Sequence, residues 1–265
     1  MNIYRALNDV TLYIEEHLEE DIDYKILSKK IGVNENILRR LFSLLTNMPL
    51  SEYIRKRKLT NAGYDLYASN MKVIDIAMKY GYNNSTSFSR AFTSFHGIKP
   101  SQVNKNSKLK NFPRIIFNEE VKEAQDMEYE IIELDQFELY GIGKEVNCKN
   151  IKNIAPAFFD ETSKKYLDLY GYPEYGMITY NNEYREECTA YYVLYKKEIE
   201  NFSKFIIPKS KWLLFRIPSY NALEIQKVSD QFYLEFLPSC KFKFKDLPEF
   251  EYYHDGVTDF LIPIY

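Results

Sequence analysis

The stretch Val73-Ile-Asp-Ile-Ala-Met-Lys-Tyr-Gly-Tyr-Asn-Asn-Ser-Thr-Ser-Phe-Ser-Arg-Ala-Phe-Thr-Ser-Phe95, continued by His96-Gly-Ile-Lys-Pro100, decides how this chain is read. Ile74, Ala77 and Met78 recur at helical spacing before Gly81, and Phe88, Phe92 and Phe95 recur at intervals of four and three after it. Each side of the glycine therefore predicts a short helix with one apolar stripe. Gly81 can take the positive φ that ends the first helix. Ser85 is the expected N-cap of the second, and Gly97 followed by Pro100 marks its end. Ser85, Thr86, Ser89, Arg90 and Thr93 stay on the outer surface. They are hydrogen-bonding side chains without an acid, which is what a helix entering a major groove requires.

The pattern occurs twice. Asp23 can cap a helix through Ile26, Leu27 and Ile31 that stops at Gly32, and a second helix follows through Leu38, Leu41, Phe42 and Leu45. Leu38-Arg39-Arg40-Leu41-Phe42 lies fifty residues before Phe88-Ser89-Arg90-Ala91-Phe92, and Gly32 precedes Gly81 by nearly the same interval. A repeat is far less frequent by chance than a single match. Ile3, Leu7, Val10, Ile14 and Leu18 form a supporting helical stripe ahead of the first copy. Between the copies, Ser51 to about Tyr67 reads as one helix, capped by Ser51, with Ile54, Leu59, Ala62 and Leu66 inward and the run Arg55-Lys56-Arg57-Lys58 as a solvated basic face. A rigid connector would set two reading helices about 34 Å apart, one turn of DNA.

Tyr53-Ile54-Arg55, Leu59, Ala62, Ile76-Ala77, Gly81-Tyr82, Phe88-Ser-Arg-Ala-Phe92 and Gly97-Ile-Lys-Pro100 resemble, at the same spacing, the DNA-binding domain of the AraC/XylS transcription regulators. The resemblance implies that Asn36, Arg39 and Arg40 of the first reading helix and Ser85, Thr86, Ser89 and Arg90 of the second face double-stranded DNA. The chemistry agrees, since Arg can pair in bidentate fashion with guanine and Asn with adenine. Arg39 and Arg40 are adjacent on a helix, so one of them is expected on phosphate or a surface acid. Three positions depart from the family pattern: Asn47 where glycine is usual, Lys58 where arginine is common, and Val103-Asn104-Lys105 without a closing arginine.

The 265 residues allow two domains of ordinary size. Residues 1–105 hold fifteen Lys and Arg against eleven Asp and Glu, net +4, and residues 106–265 hold twenty against twenty-seven, net -7. The basic part is the part with the repeated motif, as phosphate contact requires. Cys148, Cys188 and Cys240 form no CxxC pair, and reduced thiols are expected. No stretch has the length of apolar residues that spans a membrane, and the N-terminus lacks a secretory pattern, so a cytoplasmic protein without membrane contact is expected. His17 and His96 are expected as surface or capping residues.

The expected organisation is an all-α domain with two helix-turn-helix motifs over residues 1–106, a polar linker over 107–126, and an α+β domain over 127–265. In the linker region Phe112 to Phe117 is either a strand or a docking segment. Beyond Glu128 the order strand, helix, strand, strand occurs twice: Tyr129–Val146, with two extended apolar runs around Asp135-Gln136, Ile154–Tyr170, Gly176–Tyr180 and Ala190–Tyr195, then Trp212–Ile217, Ala222–Leu237 ending at Pro238, Phe250–Tyr253 and Phe260–Ile264. Two βαββ repeats imply a pseudo-twofold, and a cleft at their junction suits a ligand. Pro248-Glu-Phe-Glu251-Tyr-Tyr253 and the closing Leu261-Ile-Pro-Ile264 resemble the GyrI-like effector-binding domain. Behind an AraC-type reader this order is similar to the Rob-type regulators.

Glu251 and Tyr253 alternate onto one face of their strand. A buried carboxylate there is costly until a cation pairs with it. The expected site is Glu251 with Tyr253, Trp212 and Tyr192 as walls, taking a small cationic, aromatic or lipophilic molecule. Three functions are weighed. The leading one is a regulator whose ligand biases DNA affinity or contact with RNA polymerase; the second binds a protein partner through its C-terminal domain; the third is a hydrolase using Glu251 as base. With no Ser-His-Asp set, no metal-ligand cluster, and His254 alone near the site, neither catalysis nor a cofactor is expected.

Overall fold

The computed structural model describes residues 3–69, 71–118, 127–147, 150–180 and 188–265. Cys148, the side chain of Cys188 and residues 119–126 of the expected linker lie outside them. Six helices come first: α1 (Ile3–Glu16), α2 (Tyr24–Ile31), α3 (Glu35–Thr46), α4 (Leu50–Ala68), α5 (Val73–Lys79) and α6 (Ser85–His96), followed by a 3₁₀ turn at Pro100–Gln102. The second half holds β1 (Glu130–Leu134), β2 (Phe137–Asn147), α7 (Ile151–Tyr170), β3 (Tyr175–Tyr180), β4 (Cys188–Tyr195), β5 (Ser203–Ile207), β6 (Ser210–Ile217), α8 (Ala222–Gln231), a π turn (Phe232–Phe236), α9 (Leu237–Ser239), β7 (Glu249–His254) and β8 (Val257–Ile264). Among the described residues no helix is long and apolar enough to cross a membrane.

These elements form two compact units. One contains α1, α2 and residues 50–118. Its α1 buries Ile3, Leu7, Val10 and Ile14, as the stripe predicts. In α5 the buried residues are Ile76 and Ala77, with Tyr80 just beyond, whereas Ile74 and Met78 face solvent and correct the expected stripe. Ile76 and Tyr80 are four residues apart and Ala77 and Tyr80 three, so these three share one helix face. In α6 Phe88 and Phe92 are fully buried and His96 continues the stripe in place of the half-buried Phe95. Gly81 and Gly97 have φ of 81° and 80°, the left-handed conformations that end α5 and α6. Phe112 to Phe117 is a docking segment: Asn8 brackets Phe117 with two hydrogen bonds of 2.8 Å, and the Thr11 hydroxyl donates to the Ile115 carbonyl at 3.2 Å. His96 is buried, not a surface residue.

The other unit contains residues 32–49 together with the described residues from 127 onward. Asn34 caps α3, its Oδ1 accepting from the Ile37 N–H at 2.8 Å, and Asn47 ends the helix in the left-handed conformation at φ 51°. The eight strands form one antiparallel sheet in the order β1-β6-β8-β7-β3-β4-β2-β5. The sequence reading missed β5, whose five residues lie on the sheet edge and are mostly exposed. With it, each repeat is ββαββ, and exchanging the strands of one repeat for their counterparts in the other reverses the order. The pseudo-twofold therefore passes between β3 and β7, where Gly176 is the register partner of Glu251. Pro173-Glu174-Tyr175-Gly176 and Pro248-Glu249-Phe250-Glu251 occupy equivalent places.

The sheet has two different faces. On one, Trp212, Leu214, Phe250, Leu261, Met177, Tyr175 and Leu194 form a dry cluster. On the other, α7 packs on β2 and β4, and α8 on β6 and β8. The helix begun by α8 passes Gln231 as a π turn and includes Pro238 in its last turn, so it runs beyond its expected end at Leu237.

Candidate functional site

The residues expected to face DNA lie on α3 and α6. Asn84, not Ser85, caps α6: its Oδ1 accepts from the Ser87 N–H at 2.8 Å, which leaves Ser85 as the first helical residue. Thr86 and Arg90 are exposed, and Ser85 and Ser89 are half-buried. On α3, Asn36, Arg39 and Arg40 are half-buried. Arg39 lies 4.0 Å from Glu35 one turn earlier. Arg40 Nη2 donates to Ser229 Oγ, Nη1 stands 3.9 Å from Glu249 Oε2, and the guanidinium lies 5.0 Å from the centre of the Tyr233 ring. Tyr233, in the π turn, donates its own hydroxyl to Glu249. Asn34 Nδ2 donates to the Lys245 carbonyl at 2.6 Å.

The basic run on α4 is not a uniform solvated face. Arg57 pairs with Glu15 at 2.6 Å and donates to the Phe112 carbonyl, Lys56 pairs with Glu52 at 2.8 Å, and Lys58 Nζ donates to the Glu20 carbonyl at 2.9 Å. Burial lowers the Lys58 ammonium from its ordinary pKa.

On the helix-bearing face of the sheet, Glu251 is half-buried and its Oε2 accepts the hydroxyls of Tyr191 at 2.9 Å and Tyr253 at 2.8 Å. Burial first, and then the Glu251 charge, push both phenols well above their ordinary pKa, so they remain donors. A Cβ at Gly176 would stand 2.2 Å from the Tyr191 hydroxyl and 2.6 Å from Glu251 Oε2, so glycine makes room for this pair. Phe159 of α7 lies 4.6 Å from the Tyr253 ring and 5.8 Å from Tyr172. Tyr172 and Tyr220 stack 6.0 Å apart at 9°, both partly exposed, and Tyr220 meets Tyr253 edge-on.

Glu251 and Tyr253 thus come together as expected, but Trp212 and Tyr192 do not join them. Both side chains project from the opposite face, Trp212 within the dry cluster against Phe250 and Tyr192 at its margin. Strand alternation explains the difference: Tyr191, one residue earlier on β4, faces Glu251, and Tyr192 must face away. His254 is also on the opposite face, stacked on Tyr252 at 4.5 Å with its Nε2 2.8 Å from Asp259. Tyr172, Phe159 and Tyr220 are not legible in the sequence, because they come from a turn, a helix and a loop with no shared period. Among the described residues no group of side chains could hold a metal ion.

A repeated helix-turn-helix reader joined to an aromatic, acid-centred α+β domain defines a DNA-binding regulator of transcription. Residues 27–106 match the helix-turn-helix domain family and residues 127–264, more than half the chain, match the GyrI-like small molecule binding domain. The chain belongs to the AraC/XylS family of transcription regulators and carries a C-terminal GyrI-like domain. It is 34% identical over 95 residues to the HTH-type transcriptional activator AarP of Providencia stuartii, covering 36% of this chain and 70% of that one. To the regulatory protein SoxS of Escherichia coli K12 it is 33% identical over 101 residues, 38% of this chain and 94% of that one. A solved structure of SAV2435 bound to tetraphenylphosphonium is similar at a TM-score of 0.45 and 15% identity, over 52% of this chain and 94% of that one.

Proposed function

We propose that the activity of this regulator responds to a small lipophilic aromatic cation held at Glu251. In this reading α3 and α6 enter successive major grooves through Asn36, Arg39, Arg40, Ser85, Thr86, Ser89 and Arg90, and the C-terminal domain conveys the ligand's presence without a chemical reaction. One observation carries the ligand assignment. Glu251 is a half-buried carboxylate with no cationic partner among the described residues, held by two phenol hydroxyls beside a run of aromatic rings. A carboxylate removed from water is costly unless a cation pairs with it. Aromatic faces add about 0.5–2 kcal/mol each to a cation placed against them. Membership of a small-molecule-binding family supports the same reading.

Thermal unfolding with a panel of lipophilic cationic dyes tests it, since a ligand that binds only the folded state must raise the midpoint. The expected result is a rise for the wild type that Glu251→Gln largely removes. Equal dye affinity in Glu251→Gln, or no stabilisation by any dye, would sink the charge-pairing assignment.

A further inference from the structure

Arg40 lies on α3, in the same compact unit as the sheet, and its side chain is already occupied. Its Nη2 donates to Ser229 Oγ, its Nη1 faces Glu249 Oε2 at 3.9 Å, and its plane lies over Tyr233. Glu249 is itself buried, at 8% exposure, and takes the Tyr233 hydroxyl as well. A second tie forms at the start of the helix. Asn34 caps α3 with its Oδ1 while its Nδ2 donates to the Lys245 carbonyl.

The chemistry of this pocket resembles what the same arginine would meet on DNA. Guanine offers two acceptors, O6 and N7, to the guanidinium fork. Here Ser229 Oγ and Glu249 Oε2 offer two oxygens to the two terminal nitrogens, and Tyr233 supplies a flat face. One guanidinium cannot serve both sets. We infer that Ser229, Tyr233 and Glu249 form an autoinhibitory latch that captures α3 through Arg40 and holds its reading face away from the major groove. The inference rests on the reading of α3 as a DNA-contacting helix. A buried carboxylate left without its cation is strongly unfavourable, so the latch is held from both sides.

The test uses the full chain, a mixed-sequence duplex at low salt, and hydrogen exchange of the α3 amides. Glu249→Gln and Ser229→Ala should each tighten DNA binding, by about 5- to 150-fold if the coupling is of ordinary allosteric size, and speed exchange in α3. Adding Arg40→Ala should cancel the gain in affinity. Ser229→Ala alters no charge and a single buried atom, so it decides the matter even if Glu249→Gln folds poorly. Faster exchange with unchanged affinity overturns the DNA-reading role on which the latch rests. Unchanged exchange and unchanged affinity overturn the latch itself.

Discussion

His96 uses both ring nitrogens with a single proton. Nε2 donates to the Leu59 carbonyl at 2.9 Å, and Nδ1 accepts the Lys110 N–H at 3.2 Å. Burial, opposed by the Leu59 carbonyl and reinforced by the Lys110 charge, lowers its pKa from the ordinary 6.5. The unfolded chain therefore takes up this proton more readily than the folded one, and stability rises with pH across the interval between the two pKa values. The contribution is complete above about pH 6.5 and is lost as pH falls below it towards the folded-state value. The unfolding midpoint of the wild type should drop over this range more steeply than that of His96→Gln, which has no such proton to bind. Parallel curves for the two proteins would assign the dependence to other groups. At the same scale, Arg90 is exposed on α6 and is one of the residues proposed to face DNA. Arg90→Ala should cost about 1–3 kcal/mol on a selected duplex and relax preference at one base pair. Equal losses on selected and random duplexes would make it a phosphate contact.

Elements explain why some of the site was legible and some was not. The two helix-turn-helix copies are readable because each repeats apolar residues at helical spacing and its first helix stops at a glycine that adopts positive φ, as Gly32 and Gly81 do. The cap of α6 was misplaced by one residue, since Asn84 and Ser85 are both good capping residues and only the backbone, extended at Asn84, separates them. Alternation along β7 correctly placed Glu251 with Tyr253, but the facing strand had to be aligned before Tyr191 could be distinguished from Tyr192. That alignment is a pairing of distant residues, Ile178 with Tyr191 and with Glu249, which local pattern does not contain. Gly176 follows from the same register. Its added methyl would press on the buried Tyr191 hydroxyl and on Glu251 Oε2, so Gly176→Ala should lower stability by about 1–3 kcal/mol. The same displacement should separate Glu251 from Tyr191 and weaken dye binding. A variant that keeps full dye affinity would show that the pair is not the binding element.

For the whole molecule, the consequential juxtaposition is on β7, where Glu249 and Glu251 project from one face about 7 Å apart. Glu249 faces Arg40 at 3.9 Å, and Glu251 is the proposed ligand carboxylate. Burial raises the pKa of Glu249, Arg40 and Tyr233 oppose that rise, and the neighbouring charge of Glu251 adds to it. A cation bound at Glu251 cancels that last contribution. Because Glu249 is also the carboxylate that faces Arg40, the charge of a ligand bound at Glu251 changes the field that holds the guanidinium, so the proposed ligand site and α3 are coupled along one strand. By linkage the duplex must change the dye's affinity by the same factor that the dye changes the duplex's, typically about 1–3 kcal/mol. Titrating a stabilising dye into the full chain with and without saturating duplex measures both halves of this reciprocity. Glu249→Gln should uncouple them while leaving dye affinity nearly intact, because Gln keeps the shape of the strand face and removes only the charge through which the two sites interact. A dye that leaves DNA affinity unchanged, or a coupling that survives in Glu249→Gln, would show that the two carboxylates are not the link between the sites.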